Sequence, residues 1–197
     1  DEPVRSSFSG ALNVFQFRIE PKLALQMKPH QLEAAEMILK EVGLAETGFL
    51  LAHAMGLGKS LTAIAVLCAF FHAMPGMKCM IVCPKSLLNS WNAELMKWDD
   101  YLNFHYYEPL DEDKPYVIKR WSKNGGLVII GNDRFRILME KDRVESDFIV
   151  IDEAHLLKNV DTRFYQAIKD HSPRRKLLLS GSPCLLYTSD AADDDHC

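Results

Sequence analysis

The fold is decided by Met55-Gly56-Leu57-Gly58-Lys59-Ser60, which follows the apolar run 49–52 and leads into the apolar run 61–71. A short apolar run, a glycine loop and a longer apolar run are typical of a strand, a turn and a buried helix. The glycines within the loop allow backbone angles that turn successive N–H groups inward, toward a phosphate. The stretch therefore predicts a phosphate-binding loop between a strand and a helix.

Two side chains at the end of this loop suit nucleotide chemistry. Lys59 provides a positive charge and Ser60 a hydroxyl group that can bind magnesium, at a helix N-terminus that already favours anions. The general phosphate-loop pattern, G-x-x-x-x-G-K-[ST], has glycine where this chain has His53. On this loop alone, a nucleotide site and a plain glycine-rich helix entry both stay open.

Length and composition indicate one globular domain, with room for a small appendage. The chain has 197 residues, of which 48% are hydrophobic, so it can bury a substantial core. Its net charge of −4 gives no overall basic footprint for nucleic acid, although it does not exclude a local basic groove.

The longest strongly apolar run, 61–71, is too short to cross a bilayer, so we expect no membrane span. Because the chain does not begin with Met, we expect an internal piece of a longer protein.

Cysteine usage points to a reducing compartment. There are five cysteines, an odd number without paired CxxC spacing. Cys79 and Cys83 flank a predicted strand, and we interpret them as small buried apolar residues rather than metal ligands.

Continuous apolar runs alternate with amphipathic stretches along the chain. Apolar strands without polar alternation indicate a parallel sheet that is covered on both faces by helices. Strands are predicted at 49–52, 77–83, 104–107, 127–130, 148–151 and 177–179. Helices are predicted at 29–43, 61–71, 86–98, 116–121, 134–140 and 164–168.

A second informative stretch joins the predicted strand 148–151 to two carboxylates, Asp152 and Glu153. The carboxyl ends of parallel strands lie at one sheet edge, where open α/β folds bind their ligands. There Asp152 can share a magnesium ion with Ser60, and Glu153 can orient or deprotonate the water that attacks a γ-phosphate. The alternative is that both carboxylates merely cap the following helix.

Several motifs in this order resemble the N-terminal RecA-like lobe of the SWI/SNF family of helicase-like ATPases, over about residues 28–183. The matching motifs are Lys28-Pro29-His30-Gln31, the loop 55–60, Cys83-Pro84-Lys85-Ser86-Leu87-Leu88 with Trp91 and Glu94, Asp152-Glu153-Ala154-His155 with Lys158-Asn159, and Ser180-Gly181-Ser182-Pro183. His53 ahead of the loop is similar to the ATRX-like subgroup, so the missing glycine is ordinary there. The resemblance implies an α/β fold: a RecA-like P-loop NTPase lobe with a mostly parallel sheet and helices on both faces.

The resemblance also assigns candidate site residues. The nucleotide would be ATP, with its adenine in contact with Gln31. The other nucleotide-binding residues would be Met55, Gly56, Leu57, Gly58, Lys59, Ser60 and Asp152. Mg²⁺ would be held by Ser60 and Asp152, and catalysis would fall to Lys59, Asp152 and Glu153. Nucleic acid would contact Lys85, Ser86 and Ser180, of which the last lies in the segment that couples nucleotide state to DNA.

The implied function is the ATP-binding lobe of a DNA-dependent ATPase that moves along double-stranded DNA, in the nucleus if the source is eukaryotic and otherwise inside the cell. Whether that DNA is nucleosomal, as in chromatin remodelling, or free, as in recombination, stays open. In this family a second RecA-like lobe supplies the arginine that stabilises the transition state. That lobe is missing here, so we expect the isolated chain to hydrolyse ATP poorly. Two alternatives are an RNA helicase lobe of the wider superfamily and a nucleotide-binding scaffold without turnover.

Some residues carry a structural interpretation beside the functional one. Lys85 and Ser86 suit a contact to the DNA backbone, or else a helix cap with a solvated lysine. Trp91 and Trp98 lie on an apolar helix face and are expected in the core. His155 either links the acidic box to the coupling segment or makes a simple core hydrogen bond, and His53 has no derived role.

Three regions follow from these patterns. Residues 1–27 form a lead-in segment, and residues 28–183 form the ATP-binding domain, which we expect to be incomplete at its C-terminal end. Residues 184–197 depart from the expected continuation, and 184–193 resemble a translated sequencing adapter, so we interpret 184–197 as a non-native tail; a genuine acidic tail is the alternative. Sequencing an independent clone across Pro183 distinguishes the two.

Overall fold

The computed structural model describes residues 17–44, 47–54, 56–171 and 173–181. The helices are α1 (Pro21–Ala24), α2 (Pro29–Ile38), α3 (Lys59–Ala73), α4 (Leu88–Lys97), α5 (Pro115–Asn124), α6 (Asn132–Asp142) and α7 (Arg163–His171). The strands are β1 (Gly48–Ala52), β2 (Lys78–Cys83), β3 (Gly126–Gly131), β4 (Phe148–Ile151) and β5 (Arg175–Ser180). A π-helical turn (Leu39–Leu44) and three 3₁₀ turns (Lys85–Leu87, Asp99–Tyr101 and Ala154–Lys158) complete the elements.

The five strands form one sheet in the order β1-β5-β4-β2-β3, and every pairing is parallel. The register brings Ala52 opposite Ser180, and Ile151 opposite both Leu178 and Val82. The strand ends that carry the predicted motifs are therefore level with one another. The predicted parallel α/β sheet is confirmed.

Two apolar clusters cover the two faces of the sheet, because successive strand residues point to opposite sides. In β2, Cys79 and Ile81 belong to the cluster under α2, α3 and α4, whereas Met80 and Val82 belong to the cluster under α5, α6 and α7. These strand residues are 0% exposed. The strands are apolar throughout because both faces are covered, as expected for a parallel sheet.

The predicted strand 104–107 is wrong, since this segment forms only isolated bridges on the outer edge of β3. Tyr106 bridges Leu127, and Leu110 bridges Ile130. Between them lies Pro109, which has no backbone N–H and cannot continue a ladder of hydrogen bonds. The segment follows the edge strand without becoming a sixth strand.

The described part of the lead-in segment packs with the domain. Leu23 in α1 is fully buried in the core, and the ring of Phe17 lies 4.8 Å from that of Phe70. A Cβ atom on Gly43 would approach the Phe17 ring to 2.9 Å, so the glycine gives room to this ring. The helical segment beginning at Pro29 runs through this position, but its last six residues are a π turn rather than α-helix.

The described cysteines are buried, as predicted for two of them. Cys79 and Cys83 are 0% exposed and Cys68 is 1% exposed, and all three are free thiols. Burial raises the pKa of the Cys68 and Cys83 thiols to about 12, so these side chains behave as small apolar groups. Among the described helices, none has the length and apolar character that a membrane span requires.

His171, at the end of α7, makes the stability of the fold depend on pH. Its Nε2 atom lies 2.7 Å from Ser146 Oγ, and burial lowers its pKa to about 4 against an opposing backbone hydrogen bond with Val144. The unfolded chain, with a histidine pKa near 6.5, binds the proton more readily between these values. Stability is therefore present above about pH 6.5 and is lost as pH falls toward 4.

We predict that His171→Gln reduces this loss, since a glutamine side chain does not titrate. Between pH 7 and pH 5 the wild-type chain should lose on the order of 1 kcal/mol more unfolding free energy than the variant. Urea unfolding followed by circular dichroism at the two pH values measures the difference. Equal losses in both proteins would show that the ring titrates no differently in the folded chain.

Candidate functional site

The predicted motifs meet at the carboxyl edge of the sheet. The glycine loop follows β1, Asp152 follows β4 and Lys85 follows β2. Only β5 separates β1 from β4, so their axes lie roughly 10 Å apart at the usual strand spacing. The edge can therefore hold a phosphate chain between the loop and the acidic residues.

The loop adopts the left-handed backbone conformation at both of its described glycines, with φ of 82° at Gly56 and 78° at Gly58. At Gly56 a Cβ atom would meet nothing within 4 Å, whereas at Gly58 it would come within 2.0 Å of Gln31 Nε2. Gly58 is therefore required both for its conformation and for the close approach of a side chain. Met55, another predicted contact, lies outside the described residues.

Lys59 and Ser60 begin helix α3, as the loop motif predicts. The Lys59 ammonium group donates a hydrogen bond to the His53 carbonyl oxygen at 2.9 Å. The side chains of Lys59 and Ser60 are both partly exposed. Gly58 precedes them as the N-cap and offers no side-chain acceptor. The first N–H groups of α3 thus stay available to an anion.

Gln31 holds the glycine loop from the first turn of α2, a role that sequence reasoning missed. The side chain is 4% exposed, and its Nε2 donates to the carbonyl oxygens of Leu57 and Gly58, each at 3.2 Å. Its Oε1 accepts the Lys28 N–H at 2.8 Å. Gln31 therefore lies at the predicted nucleotide site, with both ends of its amide engaged by the protein.

Asp152 is fixed by two hydrogen bonds, one to each carboxylate oxygen. Oδ2 accepts the Trp91 indole N–H at 2.9 Å, and Oδ1 accepts the Glu153 backbone N–H at 2.8 Å. Trp91 is 2% exposed, which agrees with the predicted core position but adds a contact to the acidic motif. The signal in the sequence is the indole N–H, which needs a partner when buried.

Glu153 takes a strained backbone conformation in the turn after Asp152. Its φ of 51° lies in the left-handed region, which is uncommon for a residue with a side chain. Its carboxylate does not cap the 3₁₀ turn that follows, so the capping interpretation is wrong for Glu153. Instead Oε2 lies 3.0 Å from His155 Nδ1, and both side chains are partly exposed. His155 therefore makes a surface contact with the acidic motif rather than a core hydrogen bond.

The donor set at this edge fits a magnesium ion. Mg²⁺ prefers oxygen ligands, takes few of them from the protein and leaves the rest to phosphates and water. Ser60 offers a hydroxyl oxygen and Asp152 a carboxylate in which each oxygen still has an unused lone pair. The residues that would hold the ion are thus Ser60 and Asp152.

The predicted nucleic-acid residues differ in exposure. Lys85 is 79% exposed and its ammonium group pairs with Asp111 Oδ2 at 3.0 Å, and Ser86 is also exposed. Ser86 makes no capping hydrogen bond, and α4 begins two residues later, so the helix-cap interpretation is wrong. Ser180 is 0% exposed at the end of β5, so its side chain is buried here, and the DNA contact of this segment stays a prediction. The following Ser182 and Pro183 lie outside the described residues.

His53 lies beside the loop with its ring Nδ1 buried and without a hydrogen-bond partner among the described residues. Its ring centroid is 5.9 Å from that of His30, whose Nε2 lies 3.2 Å from the Leu57 carbonyl oxygen. Desolvation lowers the pKa of His53, and the nearby His30 and Lys59 lower it further. Because the lowered pKa keeps the His53 ring uncharged at neutral pH, the positive charge of the loop comes from Lys59.

Comparison with known proteins places this geometry in a family. A family model described as the SNF2-related domain matches residues 30–190. The mouse protein "Transcriptional regulator ATRX" is 27% identical to the chain over 84% of it, and "ISWI chromatin-remodeling complex ATPase ISW1" of Saccharomyces cerevisiae is 27% identical over 86%. The chain spans only 8% and 15% of the length of these relatives.

A solved structure has a similar fold. It is titled "Sulfolobus solfataricus SWI2/SNF2 ATPase core in complex with dsDNA", and the two structures superpose with a TM-score of 0.70 at 26% sequence identity. The match covers 80% of this chain and 32% of the other.

We predict that Gly58→Ala weakens nucleotide binding by about ten-fold or more, because the added methyl group meets Gln31 and strains the backbone. Gly76→Ala is the matched control, since Gly76 has a similar φ, 82° against 78° at Gly58, but nothing within 4 Å of an added Cβ atom. Titration with a fluorescent ATP analogue measures both affinities. Equal affinities for the two variants would show that the contact between Gly58 and Gln31 does not shape the loop.

Proposed function

The chain belongs to the SNF2-related family, and from this premise we propose that it is the ATP-binding lobe of a motor that moves along double-stranded DNA. The observation that carries the proposal is the meeting of the glycine loop and Asp152-Glu153 at one sheet edge, with the exposed Lys85-Ser86 turn following a strand that ends at the same edge. Phosphate binding and DNA contact can then be linked through one rigid sheet.

ATP would bind with its phosphates on the loop and at the N-terminus of α3. Lys59 would exchange its bond to the His53 carbonyl oxygen for the terminal phosphates, where its charge is better matched. Ser60 and Asp152 would hold Mg²⁺, which when bound neutralises phosphate charge. Gln31 would serve the adenine, as the resemblance implies, or keep its present bonds to the loop.

Glu153 would act on the attacking water. A carboxylate within reach of the γ-phosphate can orient the water and accept its proton. The contact between Glu153 Oε2 and His155 Nδ1 leaves the other carboxylate oxygen for that task. We therefore assign the water to Glu153 and the metal to Asp152.

DNA would contact the Lys85-Ser86 turn through its phosphate backbone, without reading the bases. The ion pair between Lys85 and Asp111 would have to open first. We propose double-stranded DNA, including nucleosomal DNA, as the partner and the nucleus as the location. The relatives named for transcriptional regulation and chromatin remodelling support this assignment.

Complete activity would need a second RecA-like lobe. In the family that lobe supplies the arginine that stabilises transition-state charge, so we expect slow hydrolysis by this chain alone.

One experiment distinguishes the proposed function from two others. It is an ATPase assay of the full-length parent with duplex DNA, single-stranded DNA or RNA. Stimulation by RNA alone would indicate an RNA helicase, and no turnover at all would indicate a scaffold.

We predict that Lys59→Ala abolishes measurable nucleotide binding, because the terminal phosphates lose their cationic partner. Lys119→Ala is the control, since Lys119 is exposed on α5, away from the loop. Isothermal titration of the chain with Mg·ATP compares the two variants. Retained affinity in Lys59→Ala would contradict the assignment of the loop.

We predict opposite effects on DNA affinity from the two members of the Lys85–Asp111 pair. Lys85→Ala should weaken duplex binding and lower the slope of log affinity against log salt by about 1, because one phosphate contact is lost. Asp111→Asn should strengthen duplex binding, because Lys85 then contacts a phosphate without first breaking its ion pair with Asp111. Fluorescence anisotropy with a labelled duplex measures both variants.

Lys97→Ala provides the comparison for this prediction. Lys97 is 63% exposed on α4 and pairs with Glu94 within the same helix. If Lys97→Ala and Lys85→Ala changed the salt slope equally, the Lys85 turn would not be a specific DNA contact.

A further inference from the structure

Trp91 connects helix α4 to the acidic motif through a single hydrogen bond. The residue is 2% exposed and packs in the apolar cluster beneath α2, α3 and α4. Its indole N–H lies at the edge of this cluster and donates a hydrogen bond to Asp152 Oδ2 at 2.9 Å. The ring is therefore held by packing while its polar atom reaches the candidate metal ligand.

The other two tryptophans show how particular this contact is. Trp98, which directly follows α4, donates its indole N–H to Glu94 Oε1 at 2.9 Å, in the last turn of that helix. Trp121 donates to the Gly126 carbonyl oxygen at 2.9 Å inside the core. Each of the three indole N–H groups has a hydrogen-bond acceptor, but only that of Trp91 donates to a residue of the proposed site.

The bond restricts the orientation of the Asp152 carboxylate. Trp91 donates to one carboxylate oxygen and the Glu153 backbone N–H donates to the other, so rotation of the group would break at least one hydrogen bond. A hydrogen bond to an ionised acceptor is stronger than a neutral one. The carboxylate thus has one defined orientation before any ion arrives.

We propose that Trp91 is a positioning residue for magnesium: its indole N–H fixes Asp152 in the orientation that binds the ion. The inference rests on the proposed function, because Asp152 must be the metal ligand. Donors in the outer shell of a metal site commonly set the orientation of the ligating groups, and their loss costs roughly ten-fold or more in metal affinity. Trp91 itself touches neither the ion nor the nucleotide.

The position of Trp91 also joins two parts of the proposed motor. The Lys85-Ser86 turn leads directly into α4, and Trp91 lies in the first turn of that helix. Any displacement of α4 that DNA causes would reach the Asp152 carboxylate through this bond. The indole is thus a direct side-chain link between the candidate DNA segment and the candidate metal ligand.

The test measures the Mg²⁺ dependence of nucleotide affinity in the full 197-residue chain. For each protein, a fluorescent ATP analogue is titrated at a series of Mg²⁺ concentrations and once in EDTA. Trp91→Phe should raise the Mg²⁺ concentration needed for half of the maximal effect by roughly ten-fold and leave the affinity in EDTA unchanged. Trp98→Phe, which loses an indole–carboxylate bond of the same length, should match the wild type in both measurements.

A double-mutant cycle separates positioning from packing. In an Asp152→Asn background, Trp91→Phe should cause no further change in the Mg²⁺ dependence, because the ligand that it orients is gone. If Trp91→Phe lowered affinity equally with and without Mg²⁺, or acted independently of Asp152, the inference would be overturned. If the wild-type chain itself showed no Mg²⁺-dependent binding, the proposed function would fail instead.

A second variant covers the case in which Trp91→Phe does not fold. Replacing Trp91 with benzothienylalanine keeps the bicyclic shape of the side chain and exchanges the N–H for sulfur, so that packing is preserved and only the donor is lost. The same roughly ten-fold shift in Mg²⁺ dependence is expected. A Mg²⁺ dependence equal to that of the wild type would rule out the positioning role.

Discussion

Five parallel strands place all of their carboxyl ends at one edge of the sheet, and the proposed chemistry depends on this constraint. The glycine loop, Asp152 and the Lys85 turn are far apart along the chain, yet each directly follows a strand of the same sheet. The strands stay in register because both faces are covered by apolar clusters. The core therefore sets the spacing of the site, and the loops supply its chemistry.

Charged groups at this edge already have protein partners. Lys59 donates to the His53 carbonyl oxygen, Lys85 pairs with Asp111, and Glu153 lies beside His155. In the proposed function a phosphate or a water molecule would replace these partners rather than bind to vacant groups. The net gain from each contact is thus the difference between two interactions, which is smaller than the gross strength of either. Such exchange suits the proposed motor, which would bind and release its ligands in every cycle.

The sequence predicted what depends on local pattern and strand order. The apolar strands, the helix after the glycine loop and the position of Asp152 all follow from residue order and hydrophobic pattern. Long-range side-chain partners could not be predicted in the same way: the bonds from Gln31 to the loop and from Trp91 to Asp152 join residues 26 and 61 positions apart. The segment 104–107 has the composition of a strand but makes only one isolated bridge, at Tyr106, and Pro109 beyond it cannot extend the pairing.

In the proposed function, Ser60 and Asp152 share one magnesium ion at the carboxyl edge of the sheet. A crystal structure of the chain with Mn²⁺ and a non-hydrolysable ATP analogue tests it most directly, because the anomalous signal of manganese locates the ion without reference to the protein. We expect one strong anomalous peak between the Ser60 hydroxyl and the Asp152 carboxylate, in contact with the phosphates. A nucleotide bound on the glycine loop with its metal away from Asp152 would show that the two residues do not share the ion.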